Sequence, residues 1–297
     1  MADWSNEFIA VDWGTTNRRA YLIGPDGSVR AEMADDLGVG AMAPGGFADA
    51  VAAIHDRLGE DRPMLLAGMV GSNRGWHETP YVPCPATLHD VAAALHWVEP
   101  GRIAIVPGLS VTTAGSADVM RGEEVQIFGL CALDPAAQDG ALCHPGTHTK
   151  WVSLRHGAAV TFRTVMTGEM FAMLRAHSIL APMLQGPVAP GPTFLSGVDT
   201  AFDGGVLTAQ LFAIRGQVLL GRMAQDDAAS FASGLLIGWD IRAGIDLARG
   251  QPVTVLGQPA LTQLYAAALV HVGAAVRQVD GAAAFAAGMH AIREMTR

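Results

Sequence analysis

The chain has 297 residues, half of them apolar and only 16% charged, material for one large core or for two medium ones of about 140 residues each. Its 19 basic and 28 acidic residues give a formal charge of −9, which excludes the broad basic surface that neutralises nucleic-acid phosphates. Cys84, Cys131 and Cys143 lie far apart without CxxC spacing and read as reduced thiols, no apolar run reaches the roughly 20 residues of a membrane span, and the opening residues put two acids ahead of their first apolar run where a secretory signal would be basic. A cytoplasmic protein without nucleic-acid or membrane partners is expected.

Residues 8–12 form an apolar run that ends in Asp12 and is followed by Gly14-Thr15-Thr16. Residues 19–23 read as a second strand, and Pro25-Asp26-Gly27 turns the chain into a third over 28–33, so the first element is a hairpin meander. Phe47, Val51, Ile54 and Leu58 share one face at helical spacing, which predicts a helix over 47–58, and a buried strand over 64–69 follows. A β-branched run at 103–106 and a helix over 123–133 complete a first lobe. The polar, small residues from Asp134 to Gly140 make the best linker, which gives an N-terminal lobe over 1–135 and a C-terminal lobe over 136–297.

The pattern then begins again. A strand over 141–143 enters Pro145-Gly146-Thr147-His148-Thr149-Lys150, residues 151–154 leave it, and 158–165 run antiparallel. A helix over 169–180, capped by Thr167, and helices over 208–223 and 228–247 follow. The chain closes with strand 252–256, Gly257, helix 260–272, strand 275–279 and helix 282–295. Alternation of this kind predicts parallel-dominated sheets with helices on both faces, in two similar lobes whose duplication does not align as a sequence repeat.

Three turns carry chemistry. Asp12-Trp13-Gly14-Thr15-Thr16 follows a buried strand, where glycine lets the backbone approach a ligand, hydroxyls and amides can bind phosphate oxygens, and Asp12 can hold Mg²⁺ through water. Taken alone it is also an ordinary β-turn. Gly146, Thr147, His148 and Lys150 offer a second such turn, with a solvated strand-edge charge as the alternative for Lys150 and a turn pair without metal as the preferred reading of His144 and His148. Gly257, where a strand breaks into a helix, offers bare backbone to an adenosine, and is also a plain strand-to-helix connection.

In this order the three turns resemble the phosphate, phosphate and adenosine motifs of the sugar kinase/Hsp70/actin superfamily. More narrowly, VDWGTTNRRAYL, MRGEEVQIFG, PGTHTKWV and MTGEMFAMLRAHSIL resemble the strings of the 2-dehydro-3-deoxygalactonokinases, spread from Val11 to Leu180, the last three being the more specific. The resemblance implies a two-lobed actin/hexokinase-like (ribonuclease H-like) α/β fold with a central cleft. It also implies ATP- and Mg²⁺-dependent phosphorylation of the 6-hydroxyl of a 2-keto-3-deoxy sugar acid in galactonate breakdown. The turn Gly257-Gln258-Pro259 departs from the superfamily pattern, in which a second small residue is common. A homodimer is compatible with this reading, though no residue specifies one.

Position in that architecture makes Asp118 the candidate base, on the expectation that it opens the last helix of the first lobe; capping of that helix is the alternative, with Glu123 and Glu124 favouring its N-terminus. A sugar acid brings a carboxylate that suits a guanidinium, so Arg18, Arg74 and Arg121 are candidates, each also readable as a surface arginine, with Asn17, Asn73 and Glu123 as further substrate contacts. Competing readings are a kinase for another sugar acid or polyol and an actin-like ATPase switch, although 297 residues leave little room for the extra subdomains of the latter. The GxGxxA string at Gly38-Val39-Gly40 to Ala43 does not sit at a strand-to-helix turn of a βαβ unit and is accidental as a dinucleotide signal.

Overall fold

The computed structural model describes residues 4–296; residues 1–3 and 297 of the two expected lobes lie outside them. In chain order the elements begin β1 (Phe8–Trp13), β2 (Arg18–Ile23), β3 (Val29–Asp35), α1 (Phe47–Leu58), β4 (Met64–Gly68) and β5 (Tyr81–Pro83). Next come α2 (Leu88–Ala93), β6 (His96–Glu99), β7 (Ile103–Ile105), β8 (Gly108–Thr113), β9 (Ser116–Met120) and α3 (Glu123–Leu133). The second half holds β10 (Gly140–His144), β11 (Thr149–Arg155), β12 (Ala158–Val165), α4 (Thr167–His177), α5 (Pro192–Phe202), α6 (Leu207–Leu219) and α7 (Ala228–Gly244). It closes with β13 (Val253–Gly257), α8 (Pro259–His271), β14 (Val276–Asp280) and α9 (Gly281–Glu294). Among the described residues no helix is long and apolar enough to cross a membrane.

The expected duplication is present in the sheet topology. One sheet has the order β3-β2-β1-β4-β7-β6, with β1 antiparallel to β2 and parallel to β4, and β4 parallel to β7. The other has the order β12-β11-β10-β13-β14, with β10 parallel to β13 and β13 parallel to β14. β1 and β10 therefore occupy the same place in two copies of one strand order. The central strands β1, β4, β10 and β13 are mainly apolar and largely buried, as expected where helices cover both faces of a parallel sheet. Around the first sheet, Ile9, Val11, Trp13, Ile54, Leu66 and Ile105 form one core. Around the second, Cys143, Trp151, Val253, Val255, Ile241 and Leu269 form another.

Two compact units result. The first holds the residues up to Asp139 together with Leu154–Thr161 and everything from Gly281 on; the second holds Gly140–Ser153 and Phe162–Asp280. The expected division into 1–135 and 136–297 thus differs at the C-terminus, because α9 packs in the first unit. It does so through small residues: a Cβ added at Gly129 of α3 would stand 1.8 Å from the carbonyl oxygen of Ala284 on α9. Sequence reading also missed a third sheet, β5-β8-β9, and helix α5. β8 and β9 are short and half-exposed, and their Thr-, Ser- and Ala-rich runs lack a clean apolar alternation.

The α3/α9 contact yields a stability prediction. Gly129→Val should lower the stability by roughly 3 kcal/mol, the upper part of the range for overpacking, because backbone must move to admit the side chain. Urea unfolding should show a lower midpoint at unchanged slope; an unchanged midpoint would mean that the helices are not held this closely.

Candidate active site

In the first unit the site grows from the end of β1. Asp12 pairs with Arg19 on β2 and with Ala67 on β4, inside the sheet. Burial pushes its carboxyl up to about 6; Arg19 pulls it back down, and the Glu123 carboxylate pushes it up further. Beyond β1, Gly14 N–H donates to Asn17 O at 2.9 Å and closes a tight hairpin on which Thr15, Thr16 and Asn17 are exposed. The GxGxxA string braces this hairpin from below: Val39 N–H donates to Gly14 O and Gly40 N–H to Thr15 O, both at 2.9 Å. Its glycines thus brace the hairpin after β1 and form no dinucleotide motif.

Asp118 corrects the sequence expectation. It lies within β9, opposite Val111, and its Oδ1 accepts the N–H of Val119 at 2.7 Å, so it neither opens nor caps α3. That helix starts at Glu123, after Gly122. Gly122 has φ 106°, and a Cβ there would come within 3.2 Å of the Gly68 Cα at the end of β4. The close approach and the positive φ together favour glycine here. The close passage brings the first turn of α3 to the strand ends, where Glu123 acts on Asp12.

Two backbone amides leading into α3 are tied to its own acids: Glu123 Oε2 accepts Arg121 N–H at 3.0 Å, and Glu124 Oε2 accepts Gly122 N–H at 2.7 Å. Glu124 is fully buried, its Oε1 has no partner, and burial, reinforced by Glu123, pushes its carboxyl up to about 8.

The three arginine candidates separate clearly. Arg18 is 2% exposed, grips Asp35 through Nε at 3.2 Å and Nη2 at 2.7 Å, donates to Ala50 O, and lies over the Trp13 ring. It braces the hairpin and cannot turn to a substrate. Arg121 is likewise committed: Nη2 donates to Thr79 O at 2.8 Å, Nη1 donates to Thr79 Oγ1, and the guanidinium stacks 4.3 Å from the Tyr81 ring. Arg74 and Asn73 are exposed on the loop after β4. That loop is stiffened by Ser72 Oγ donating to Met69 O at 2.7 Å, Trp76 N–H to Val70 O at 2.8 Å, and Thr79 N–H to Gly71 O at 2.9 Å.

In the second unit the turn after β10 is fastened to the start of α4. Glu169 N–H donates to Thr147 O at 3.0 Å, His148 Nε2 meets Glu169 Oε2 at 2.5 Å, and a Cβ on Gly168 would lie 2.4 Å from Gly146 O. Lys150 is buried and turns back to donate to His148 O at 3.3 Å, so it is no solvated edge charge. Thr167 is the first residue of α4 and does not cap it; its hydroxyl donates to Asp240 Oδ2. Gly257, at the end of β13, stands next to the Pro145 carbonyl, so the second and third turns adjoin. Pro259 takes the first position of α8, where its missing N–H costs nothing, which accounts for the departure from the expected small residue.

Between α4, α7 and α8 lies a cavity of about 230 Å³, bordered by Gly146 and Thr167 and walled by Phe171, Leu236, Leu264 and Tyr265. It is a mostly apolar slot adjoining the glycine turn, of a kind that buries an apolar or aromatic ring. Its walls were not identifiable from sequence, since Leu236 and Leu264 carry the same signal as core residues.

Comparison with known proteins agrees along the whole chain. A sequence model of the 2-keto-3-deoxy-galactonokinase family matches residues 12–292. The 2-dehydro-3-deoxygalactonokinase of Escherichia coli (strain K12) is 34% identical, covering 96% of this chain and 97% of that protein. A Rhizobium meliloti (strain 1021) protein described as a probable 2-dehydro-3-deoxygalactonokinase is 37% identical, covering 96% of this chain and 95% of that one. The crystal structure of a Sinorhizobium meliloti protein assigned the same activity has a TM-score of 0.89 at 34% identity, covering 96% and 97% of the two chains. The ADPNP-bound activator of the 2-hydroxyisocaproyl-CoA dehydratase from Clostridium difficile shares the fold, with a TM-score of 0.52 at 11% identity over 98% and 96% of the chains.

The buried acid of α3 gives a pH prediction. The folded chain keeps the Glu124 proton up to about pH 8, whereas an unfolded chain releases it near 4.5, so the folded state binds more protons in that window. Stability conferred by the proton is complete below the lower value and is lost as pH rises towards the upper one. Glu124→Gln, which cannot ionise, should exceed the parent by roughly 2 kcal/mol or more at about pH 8 and match it at about pH 4. Urea unfolding at the two pH values measures the difference; equal midpoints at the higher pH would show that Glu124 ionises freely.

Proposed function

Because the chain belongs to the 2-keto-3-deoxy-galactonokinase family, we propose that it transfers the γ-phosphoryl group of ATP to the 6-hydroxyl of 2-dehydro-3-deoxy-D-galactonate. The carrying observation is that the two glycine-threonine turns, 14–17 and 145–148, leave equivalent strands, β1 and β10, in duplicated sheets. Turns at the carboxyl ends of parallel strands are where open α/β sheets bind ligands. The turn at Gly14, Thr15 and Thr16 and the turn at Gly146 and Thr147 bind phosphate oxygens through amides and hydroxyls, and the adenine enters the apolar slot beside Gly146. His148 stands with Glu169 at the edge of that turn.

The acids of the first unit divide the remaining work. Asp12 and Glu123 are hard oxygen donors, and Glu123 is close enough to push the Asp12 carboxyl up, a pairing that fits a hydrated Mg²⁺ held mainly by Asp12 through water. Bound there, Mg²⁺ would neutralise the charge developing on the phosphate oxygens. The opening of α3, the place expected of the base, is occupied by Glu123 and not by Asp118. Glu123 therefore accepts the hydroxyl proton, oriented by its hydrogen bond from Arg121 N–H. Arg74, with its side chain exposed and Arg18 and Arg121 both engaged, binds the substrate carboxylate, assisted by Asn73 and Asn17. The three cysteines are free thiols, Cys131 and Cys143 buried, which suits a reducing cytoplasm.

A coupled ADP assay with Mg-ATP tests the assignment. Turnover should be far higher with 2-dehydro-3-deoxygalactonate than with glucose or glycerol, and Arg74→Ala should raise KM for the sugar acid at least tenfold with little change in KM for ATP. Equal rates on neutral hexoses would overturn the substrate.

The base is tested separately. Glu123→Gln should cut kcat by about 10²-fold or more with nucleotide affinity retained, while Asp118→Asn should cost less than about tenfold. The reverse order would restore Asp118 as the base.

A further inference from the structure

Resting on the reading of the cavity as the nucleotide slot, we infer that Asp240 is a positioning residue that sets the width and shape of that slot without touching the nucleotide. Asp240 lies on α7 and is completely buried. Its Oδ1 accepts the indole N–H of Trp151 on β11 at 2.7 Å. Its Oδ2 accepts the hydroxyls of Thr167 at the start of α4 and of Tyr265 on α8. The Tyr265 oxygen in turn accepts the hydroxyl of Thr149, the first residue of β11 after the glycine turn, at 2.8 Å. One carboxylate thereby joins β11, α4, α7 and α8, and two of its three donors, Thr167 and Tyr265, line the cavity beside Gly146.

A buried carboxylate is a poor way to add stability, since an apolar residue of like volume often serves as well or better. What the carboxylate supplies is geometry. Three donors from three elements must meet one group at fixed directions, whereas apolar packing would let the helices slide. The neighbouring turn of α7 tightens the arrangement, because Gly244 allows the Trp151 ring to lie directly against the helix backbone, where a Cβ would stand 2.0 Å from the ring. Gly146 and the start of α4 both line the slot, and the carboxylate holds Thr167 at the start of that helix. Among these partners Trp151 is the informative one, because it borders no part of the cavity and its indole N–H reaches Asp240.

The test uses the full-length protein with ADP as the probe in calorimetry, together with steady-state kinetics. Asp240→Asn keeps the volume but offers N–H donors to hydroxyls that now donate; it should weaken ADP binding and raise KM for ATP at least tenfold, with KM for the sugar acid within twofold of the parent. Trp151→Phe, which removes only the remote donor, should weaken ADP binding several-fold, and the double variant should bind ADP no more weakly than Asp240→Asn alone. Should Asp240→Asn fail to fold, Trp151→Phe carries the same test. Unchanged ADP affinity in the folded variants, with only a lower melting temperature, would overturn the inference and make the cluster a purely structural one. Leu261→Trp, which fills the slot from α8, separates the two claims. If it leaves ADP binding intact, the nucleotide reading of the cavity fails; if it abolishes binding while the Asp240 and Trp151 variants do not, only the positioning role fails.

Discussion

Close passage of backbone over backbone at Gly68 and Gly122 is the constraint from which the first unit's chemistry follows. Asp12 is fixed by strand pairing and cannot move to meet a partner, so the partner must be brought to it. The loop into α3 does this by crossing the end of β4 at a distance tight for any Cβ, in a backbone conformation that side chains rarely adopt. The two first-turn glutamates of α3 then take opposite fates. Glu123 remains at the strand ends with Asp12, while Glu124 is drawn under the loop and holds Gly122 in place. A buried acid with one unpaired oxygen is costly, and its hydrogen bond to Gly122 gives a reason for keeping it: it locks the loop that presents its neighbour.

The second unit solves the same problem by other means. Its glycine turn is not crossed by a loop but clasped by the N-terminus of α4, through a backbone bond, a histidine–glutamate contact and the bare Cα of Gly168. The arginines show how the two units differ in emphasis. Arg18 and Arg121 are spent on holding backbone: one stacks under the first hairpin, the other pins the loop bearing Arg74 against the strand that precedes α3. Charge that looked available to a ligand in the sequence is used as scaffolding, and a single guanidinium is left at the surface of a stiffened loop.

The elements with strong periodicity were legible: the opening meander, α1, β4, α3, the β10–β12 hairpin and the closing β13-α8-β14-α9 all lie within a few residues of expectation. The glycine turns were legible too, because strand-end acids, glycines and hydroxyls leave a local mark. What the sequence did not disclose depends on contacts between distant segments. Nothing local to Asp118 shows that β9 intervenes before the helix, and nothing local to Arg18 reveals that Asp35 waits 17 residues away. Thr167 looked like a cap because a hydroxyl before a helix usually is one; its actual partner, Asp240, lies 73 residues on. The cavity walls were illegible for a further reason, since an apolar slot for a ring and an apolar core are built from the same residues.

The return of α9 to the first unit affects the order in which the molecule can be assembled during synthesis. The second unit, apart from a short excursion at Leu154–Thr161, is a continuous stretch ending at Asp280, so its parts have all been synthesised before α9 is made. The first unit, although it begins the chain, must wait with the Gly129 face of α3 uncovered until the last helix emerges. The older half of the polypeptide is thus the later one to close, and a chain interrupted shortly before its end loses the cover of the unit that carries Asp12 and Glu123.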